Sequence, residues 1–358
     1  MALSTANGSL PMKTSKSSWQ MAERSRIIGK NNSQEITMSM KKNQKYKLIS
    51  LFAGCGGLDL GFLGGFKSFG KQFQKRNFEL IWANDIDAPS CQTFKHNFGH
   101  DIVCGDIRTL LKNNAVPKAA DVVLGGFPCQ DFSLAGKRRG FNSDRGLLYR
   151  SMIEVVKRTN PKVFVAENVR GLLSMNNGEA IKTIEKDFAK IGYNISTNLY
   201  LAANYGVPQA RERVIIVGTN KKFGLPKFEH PKPALNKDKW ITLKEAIGDL
   251  AGKKEGEVEN HFWSKAKMFK GMQGNTVVAP DKIGPTMRAE HHGNIEWHWN
   301  GKRRLSAREA ARIQSFPDDF VFLPATSSAY KQIGNAVPPV MAWHVATAIQ
   351  EFLDKNLK

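Results

Sequence analysis

Six short apolar runs, closed by glycine, proline or small polar residues, set the limits on what this chain can fold into. They are Lys47–Phe52, Phe78–Ala83, Asp121–Gly125, Lys162–Ala166, Ser196–Ala202 and Val214–Val217. Continuous apolar runs of this length suit strands covered on both faces. The helix-like segments between them predict parallel βαβ units wound into one open sheet. An α/β class follows, with any ligand crevice expected beyond the carboxyl ends of the strands.

The rhythm has clear edges. Residues 1–45 are rich in Ser, Asn, Lys and Met without a sustained hydrophobic period, and read as a flexible basic arm or an inert tail. After Gly218 the alternation is lost. Residues 219–302 hold five of the eight His and four of the seven Trp in irregular order, which predicts a smaller, loop-rich domain. Ser306-Ala-Arg-Glu309 is a capping-box pattern that Phe316-Pro317 would stop. A last amphipathic helix should follow Pro338-Pro339, with Val340, Met341, Val345, Ala348, Ile349 and Phe352 facing the core. The expected division is 1–45 as arm, 46–218 plus 326–358 as one domain, and 219–325 as the other.

Charge narrows the partners. Lys and Arg number 53 against 32 Asp and Glu, a formal +21, and a field of that sign draws polyanions. No run of eighteen apolar residues is present, so no membrane span is expected. Cys55, Cys91, Cys104 and Cys129 lack C-x-x-C spacing, which argues against a disulfide framework and makes a cytoplasmic setting the default. No metal site is expected.

The chemistry sits at the strand ends. The first run leads into Phe52-Ala-Gly-Cys-Gly-Gly57, a turn that lets a ligand approach the backbone. Counted from Gly54, the dinucleotide pattern G-x-G-x-x-G would need glycine where Asp59 stands, so a cofactor without a pyrophosphate fits better. Asp85 and Asp106 close the next two elements, where each suits either a ribose or adenine contact or a helix N-cap. Cys129 follows Pro128 in a glycine-flanked turn and reads as an exposed thiol, whereas Cys91 and Cys104 read as small buried hydrophobes. Glu167 ends the fifth element and should enter the same crevice, where desolvation would raise its pKa and suit it to proton donation. Gln209, Arg211 and Arg213 share one face of an extended segment, as an oxygen-gripping set or a basic edge strand.

In this order the residues resemble the C5-cytosine DNA methyltransferases, especially bacterial enzymes of restriction–modification type. The resemblance covers about 46–218 and 303–350. It rests on Phe52-Ala-Gly-Cys-Gly-Gly57, Asp85, Asp106, Gly126-Phe-Pro-Cys-Gln130, Glu167-Asn-Val169 and Gln209-x-Arg211-x-Arg213, followed by Arg303-Arg-Leu-Ser, Gln314-Ser-Phe-Pro317 and Gln332-Ile-Gly-Asn-Ala-Val337. It implies a Rossmann-like S-adenosylmethionine-dependent methyltransferase sheet with an irregular target-recognition domain. The cofactor would meet Phe52, Gly54, Gly56, Asp85, Ile86, Asp106, Ile107, Pro128, Leu148, Asn335 and Ala336. Two departures stand out: Ser50 where many relatives have Asp, and Ile86 where an aromatic often stacks on adenine.

The implied reaction puts a methyl group on C5 of a flipped-out cytosine in duplex DNA. Cys129 would be the nucleophile, Glu167 the proton donor at N3, and Arg211 and Arg213 the groups at O2 and around Glu167. Lys137, Arg138 and Arg139 read as a basic lid over the phosphates or as a surface loop. Arg288, His291, His292 and Asn294 are candidates for base edges in the major groove; the histidines have a rival reading as metal ligands but no Cys nearby. The expected partners are double-stranded DNA, no membrane, and a cognate restriction endonuclease acting separately, with the chain a monomer in the bacterial cytoplasm or nucleoid. Rival readings are an RNA cytosine-5 methyltransferase, which tRNA methylation would reveal, and a catalytically inactive DNA-binding module, against which the complete set of catalytic residues argues. A thiol hydrolase lacks a histidine placed beside Cys129.

Overall fold

The computed structural model describes Met1 and residues 45–128, 148–267, 274–289 and 294–357, with only the backbone of Thr326. Cys129, Lys137, Arg138, Arg139, His291, His292 and residues 2–44 of the arm expected over 1–45 lie outside the described residues. Met1–Lys45 and Tyr46–Lys358 are separate units, and the second carries the fold.

The strands arise where the apolar runs predict them. In chain order they are β1 (Tyr46–Leu51), β2 (Phe66–Ser68), β3 (Lys71–Phe73), β4 (Phe78–Asp85), β5 (Val103–Cys104), β6 (Val122–Gly125), β7 (Val163–Val169), β8 (Tyr193–Leu201) and β9 (Glu212–Asn220). Seven form one sheet in the order β5-β4-β1-β6-β7-β9-β8, and β2 and β3 make a separate hairpin. From β5 to β7 the pairs are parallel, in register such that Leu51, Asn84, Gly125 and Ala166 lie level near one edge. The chain leaves β1 in one direction along the sheet and returns in the other from β6, which opens a crevice at the carboxyl ends of these two strands.

One strand departs from the parallel expectation. β9 runs antiparallel to both β7 and β8. The physical reason lies between Leu201 and Glu212: that segment holds one short 3-10 turn, Ala202–Tyr205, and no crossover helix. The reversal has a consequence for the site. β9 begins at the edge where β7 finishes, which pairs Arg213 with Val169, two residues from Glu167.

Helices cover both faces: α1 (Gly57–Leu63), α2 (Ala88–Phe98), α3 (Ile107–Lys112), α4 (Leu148–Thr159) and α5 (Glu179–Lys190), then α6 (Leu243–Ile247), α7 (Ala307–Ile313), α8 (Thr326–Asn335) and α9 (Pro339–Asn356). Successive strand residues face opposite layers. Leu48, Leu80, Val163 and Val165 pack with Phe62 of α1 and with Val340, Val345 and Ile349 of α9. Ile49, Leu51, Val123 and Phe164 pack with Met152 and Val156 of α4 and with Ile184 and Phe188 of α5. The predicted face of α9 is the observed one, with Ala348 and Phe352 at its margin. Burying side chains of this kind contributes about 1.5–3 kcal/mol each.

The described residues of 219–325 contain little regular structure, and two buried arginines satisfy several of their carbonyls. Arg304 donates to the carbonyls of Ala266, Lys267, Gly274 and Ile295, and Arg308 to those of Glu259, Pro317 and Phe320. Both are essentially buried, and without them these carbonyls, other than that of Pro317, which also accepts from Phe320 N, would lose these partners. The capping box forms, with Glu309 N donating to Ser306 Oγ at 3.0 Å and Ser306 N to Glu309 Oε2 at 2.8 Å. The helix ends at Ile313, ahead of Phe316-Pro317, where Ser315 turns to φ 70°. A third core cluster joins Leu243, Met287, Leu305 and Phe316 to Tyr330 and Ile333 of α8 and to Cys55 of the glycine turn. Cys104 is exposed rather than buried, because β5 is a two-residue edge strand, while Cys91 is buried as expected.

Candidate active site

At the crevice the strand ends enclose a cavity of about 730 Å³, within the usual range for small-molecule sites. Phe52, Gly54, Asp85, Ile86, Asp106 and Ile107 line it on one side. Pro128 and Leu148 line another part, and Asn335 and Ala336, at the end of α8, a third. Gly56 is the one proposed cofactor residue outside this wall. Its φ of 92° caps α1, and a Cβ there would strike the Phe98 ring at 2.2 Å. Gly54 is different: with φ 56° and nothing within 4 Å of where a Cβ would stand, it leaves open space at the turn.

The acids hold this wall in shape. Asp85 accepts from Gly54 N and Asp87 N, each at 2.8 Å, so the end of β4 fixes the glycine turn. Its burial pushes the carboxyl pKa up against these two hydrogen bonds. Asp106 caps α3 through Arg108 N at 2.8 Å and also grips the Arg108 guanidinium, which holds its pKa below the usual carboxylate range. Asp87 caps α2 and pairs with Lys331 of α8 across the cavity mouth. Ile86, 69% exposed, presents apolar surface to the opening.

On the far side, Glu167 projects from β7 and Arg213 from β9, and Arg213 Nε meets Glu167 Oε1 at 2.8 Å. Both are buried yet line the cavity. Burial raises the Glu167 pKa by more than Arg213 and Arg211 lower it, so the proton-bearing acid persists to higher pH than in an ordinary glutamate. The loop leading toward Cys129 passes directly over this acid. A Cβ on Gly126 would lie 3.1 Å from Glu167 Oε2, and Asn168 Nδ2 donates to Phe127 O at 2.9 Å. Cys129 itself is outside the described residues, one position beyond the cavity-lining Pro128.

Gln209 and Arg211 point elsewhere. Gln209 donates to Gln314 Oε1 at 2.6 Å and accepts from Met287 N at 2.8 Å. Arg211, fully buried, donates to the carbonyls of Met287 at 2.8 Å, Gly334 at 2.7 Å and Ala336 at 2.9 Å. It therefore ties 284–289 and the end of α8 to the sheet. Arg211→Met is expected to cost about 3–5 kcal/mol, read as a lowered urea midpoint in the protein without ligands; an unchanged midpoint would contradict this clasp.

Arg288 lies on the same segment, its backbone against Gly334 and its guanidinium paired with Glu296 at 3.1 Å. Asn294 is half-buried, and its carbonyl packs on Gly274. Cavity residues that sequence reasoning does not assign to the site include Lys331, whose pairing joins positions far apart in the chain, and Asp59, met there only as the break in the glycine pattern.

A shielded acid held by a cation at the open end of a doubly wound α/β sheet can donate a proton to, and offset charge on, a group bound in the cavity. Known proteins make the class specific. The family model described as C-5 cytosine-specific DNA methylase matches residues 46–278 and 278–351. The Type II methyltransferase M.NgoFVII of Neisseria gonorrhoeae is 36% identical, over 90% of this chain and 91% of its own length. M.FnuDI of Fusobacterium nucleatum is 39% identical, over 87% and 96%. Among solved structures, the Entamoeba histolytica methyltransferase EhMeth shares the fold, with a TM-score of 0.62 and 18% identity over 88% of this chain and 99% of its own. The chain belongs to the C-5 cytosine-specific DNA methylase family. Its reaction is methyl transfer to C5 of cytosine in DNA.

Proposed function

We propose that the chain uses S-adenosylmethionine to methylate one cytosine within a specific duplex DNA sequence, as the modification enzyme of a restriction–modification system. The observation that carries the reading is the buried Glu167–Arg213 pair lying beneath the loop to Cys129 and opening onto the cavity. The cavity fits the proposed donor by its size, the open space at Gly54 and the apolar face of Ile86. Phe52, Gly54, Asp85, Asp106 and Asn335 would hold it. S-adenosylmethionine supplies an electrophilic methyl group.

The chain's own residues do the rest. Cytosine C5 is weakly nucleophilic, so the Cys129 thiolate adds to C6 and moves electron density to C5. Glu167 donates to N3 and offsets the charge that develops on the ring. Arg213 orients Glu167 and faces the O2 side, while Arg211 acts through the backbone it clasps. After methyl transfer the C5 proton passes to a base such as water, the bond to C6 breaks to release the Cys129 thiolate, N3 returns its proton to Glu167 and the ring regains aromaticity. A cytosine stacked in duplex cannot enter a crevice of this kind, so it must be flipped out, at a cost of a few kcal/mol.

Residues 219–325 are proposed as the target-recognition part and 46–218 with 326–358 as the catalytic part, supported by the arginine-held, irregular backbone of the former. Arg288, His291, His292 and Asn294 are assigned to base reading, and Lys137, Arg138 and Arg139 to phosphates, consistent with the net charge of +21. The proposed setting is the bacterial nucleoid, with a monomer acting separately from its endonuclease. No helix among the described residues is long and apolar enough to cross a membrane. Initial rates on mixed-sequence duplex DNA and on tRNA test the substrate. Transfer to duplex alone is expected; equal or faster transfer to tRNA would replace this reading.

A further inference from the structure

The cavity carries a charge balance opposite to that of the whole chain. Among the described residues, five carboxylates line it, Asp59, Asp85, Asp87, Asp106 and Glu167, against three cations, Arg108, Lys331 and Arg213. Each cation already has its acid: Arg108 holds Asp106, Lys331 holds Asp87 and Arg213 holds Glu167. Asp59 and Asp85 are left over. Asp85 has two backbone hydrogen bonds. Neither oxygen of Asp59 has a hydrogen-bond partner among the described residues, although its side chain is wholly buried.

Asp59 sits in the first turn of α1, between the core residues Leu58 and Phe62. Burial and the neighbouring Asp85 push its carboxyl up to about 7, and the nearby Ser50 hydroxyl tempers the rise without a hydrogen bond of normal geometry. An unpaired buried carboxylate costs several kcal/mol, and an apolar residue on this helix face would avoid that cost. Asp59 belongs to the wall of a cavity whose described lining leaves it no cation of its own, and its two oxygens are shielded from solvent there.

We propose that Asp59 binds the cationic part of the methyl donor, its ammonium or its sulfonium, in a cavity whose surplus of acids selects a positively charged ligand. The proposal rests on S-adenosylmethionine being the donor. It also gives an active role to the residue that breaks the dinucleotide pattern, since a glycine there would supply no charge.

Titration calorimetry of the wild type and Asp59→Asn with S-adenosylmethionine and with S-adenosylhomocysteine, which keeps the ammonium but lacks the sulfonium charge, tests it. Thermal unfolding without ligand accompanies each variant. Asn keeps the shape and removes the charge. The variant should melt no lower than the wild type yet bind S-adenosylmethionine about tenfold to a hundredfold more weakly. An equal loss for both ligands assigns the contact to the ammonium; a loss confined to S-adenosylmethionine assigns it to the sulfonium. Unchanged binding of both would overturn the proposal. Should Asp59→Asn fail to fold, Asp59→Ser repeats the measurement, and failure of both to fold makes Asp59 a structural acid and overturns the proposal as well. A wild type that binds neither ligand would instead refute the donor assignment.

Discussion

Replacing Cys129 by serine should lower methyl transfer by about ten-thousandfold or more, the loss expected when an attacking nucleophile is removed. A serine hydroxyl is far less acidic than a thiol and needs a strong base beside it. Glu167, the described acid beneath the loop to Cys129, offers none. Glu167 is held by Arg213 and kept toward its protonated form, and Asp85 is occupied by two backbone amides. Duplex containing 5-fluorocytosine separates chemistry from binding, because fluorine cannot leave C5 as a proton does and the adduct is trapped. With S-adenosylmethionine present, the wild type should form a denaturant-resistant complex, while Cys129→Ser binds the duplex and forms none. A trapped complex in the variant would move the nucleophile elsewhere.

Glu167→Gln should lower kcat by about 100- to 10,000-fold with a smaller change in KM for DNA. Glutamine can still donate a hydrogen bond toward N3, but it cannot deliver a proton. The pH dependence follows from the direction of the shift. Burial holds the Glu167 pKa above its ordinary value, so the protonated acid is present at low pH and is lost as pH rises through that raised value. The wild-type kcat should therefore contain a falling alkaline limb that the residual activity of Glu167→Gln lacks. An identical limb in both proteins would assign it to another group.

How far the sequence foretells this site depends on whether a residue's role is local. Glu167 and the loop to Cys129 are legible because each directly follows a continuous apolar run, and such runs end at one edge of a parallel sheet. Ten of the eleven cofactor positions carried by the resemblance line one cavity, those at the strand ends for the same reason and Leu148, Asn335 and Ala336 from helix ends packed there. The reversal of β9 is harder to see, since it depends on the absence of a helix between Leu201 and Glu212 rather than on any residue present. Arg211 looks equivalent to Arg213 at a spacing of two, yet its partners are three carbonyls brought in from Met287, Gly334 and Ala336. Asp59 enters the sequence argument only as a missing glycine; its burial against the cavity follows from how α1 packs. The loop-rich segment gives no period to read because its order comes from arginine-to-carbonyl bonds over long separations.

The most direct measurement is transfer of a tritiated methyl group from S-adenosylmethionine to duplex DNA, followed by digestion to nucleosides. All of the incorporated label is expected as 5-methyldeoxycytidine. Label on any other nucleoside, or tight duplex binding with no transfer, would contradict it.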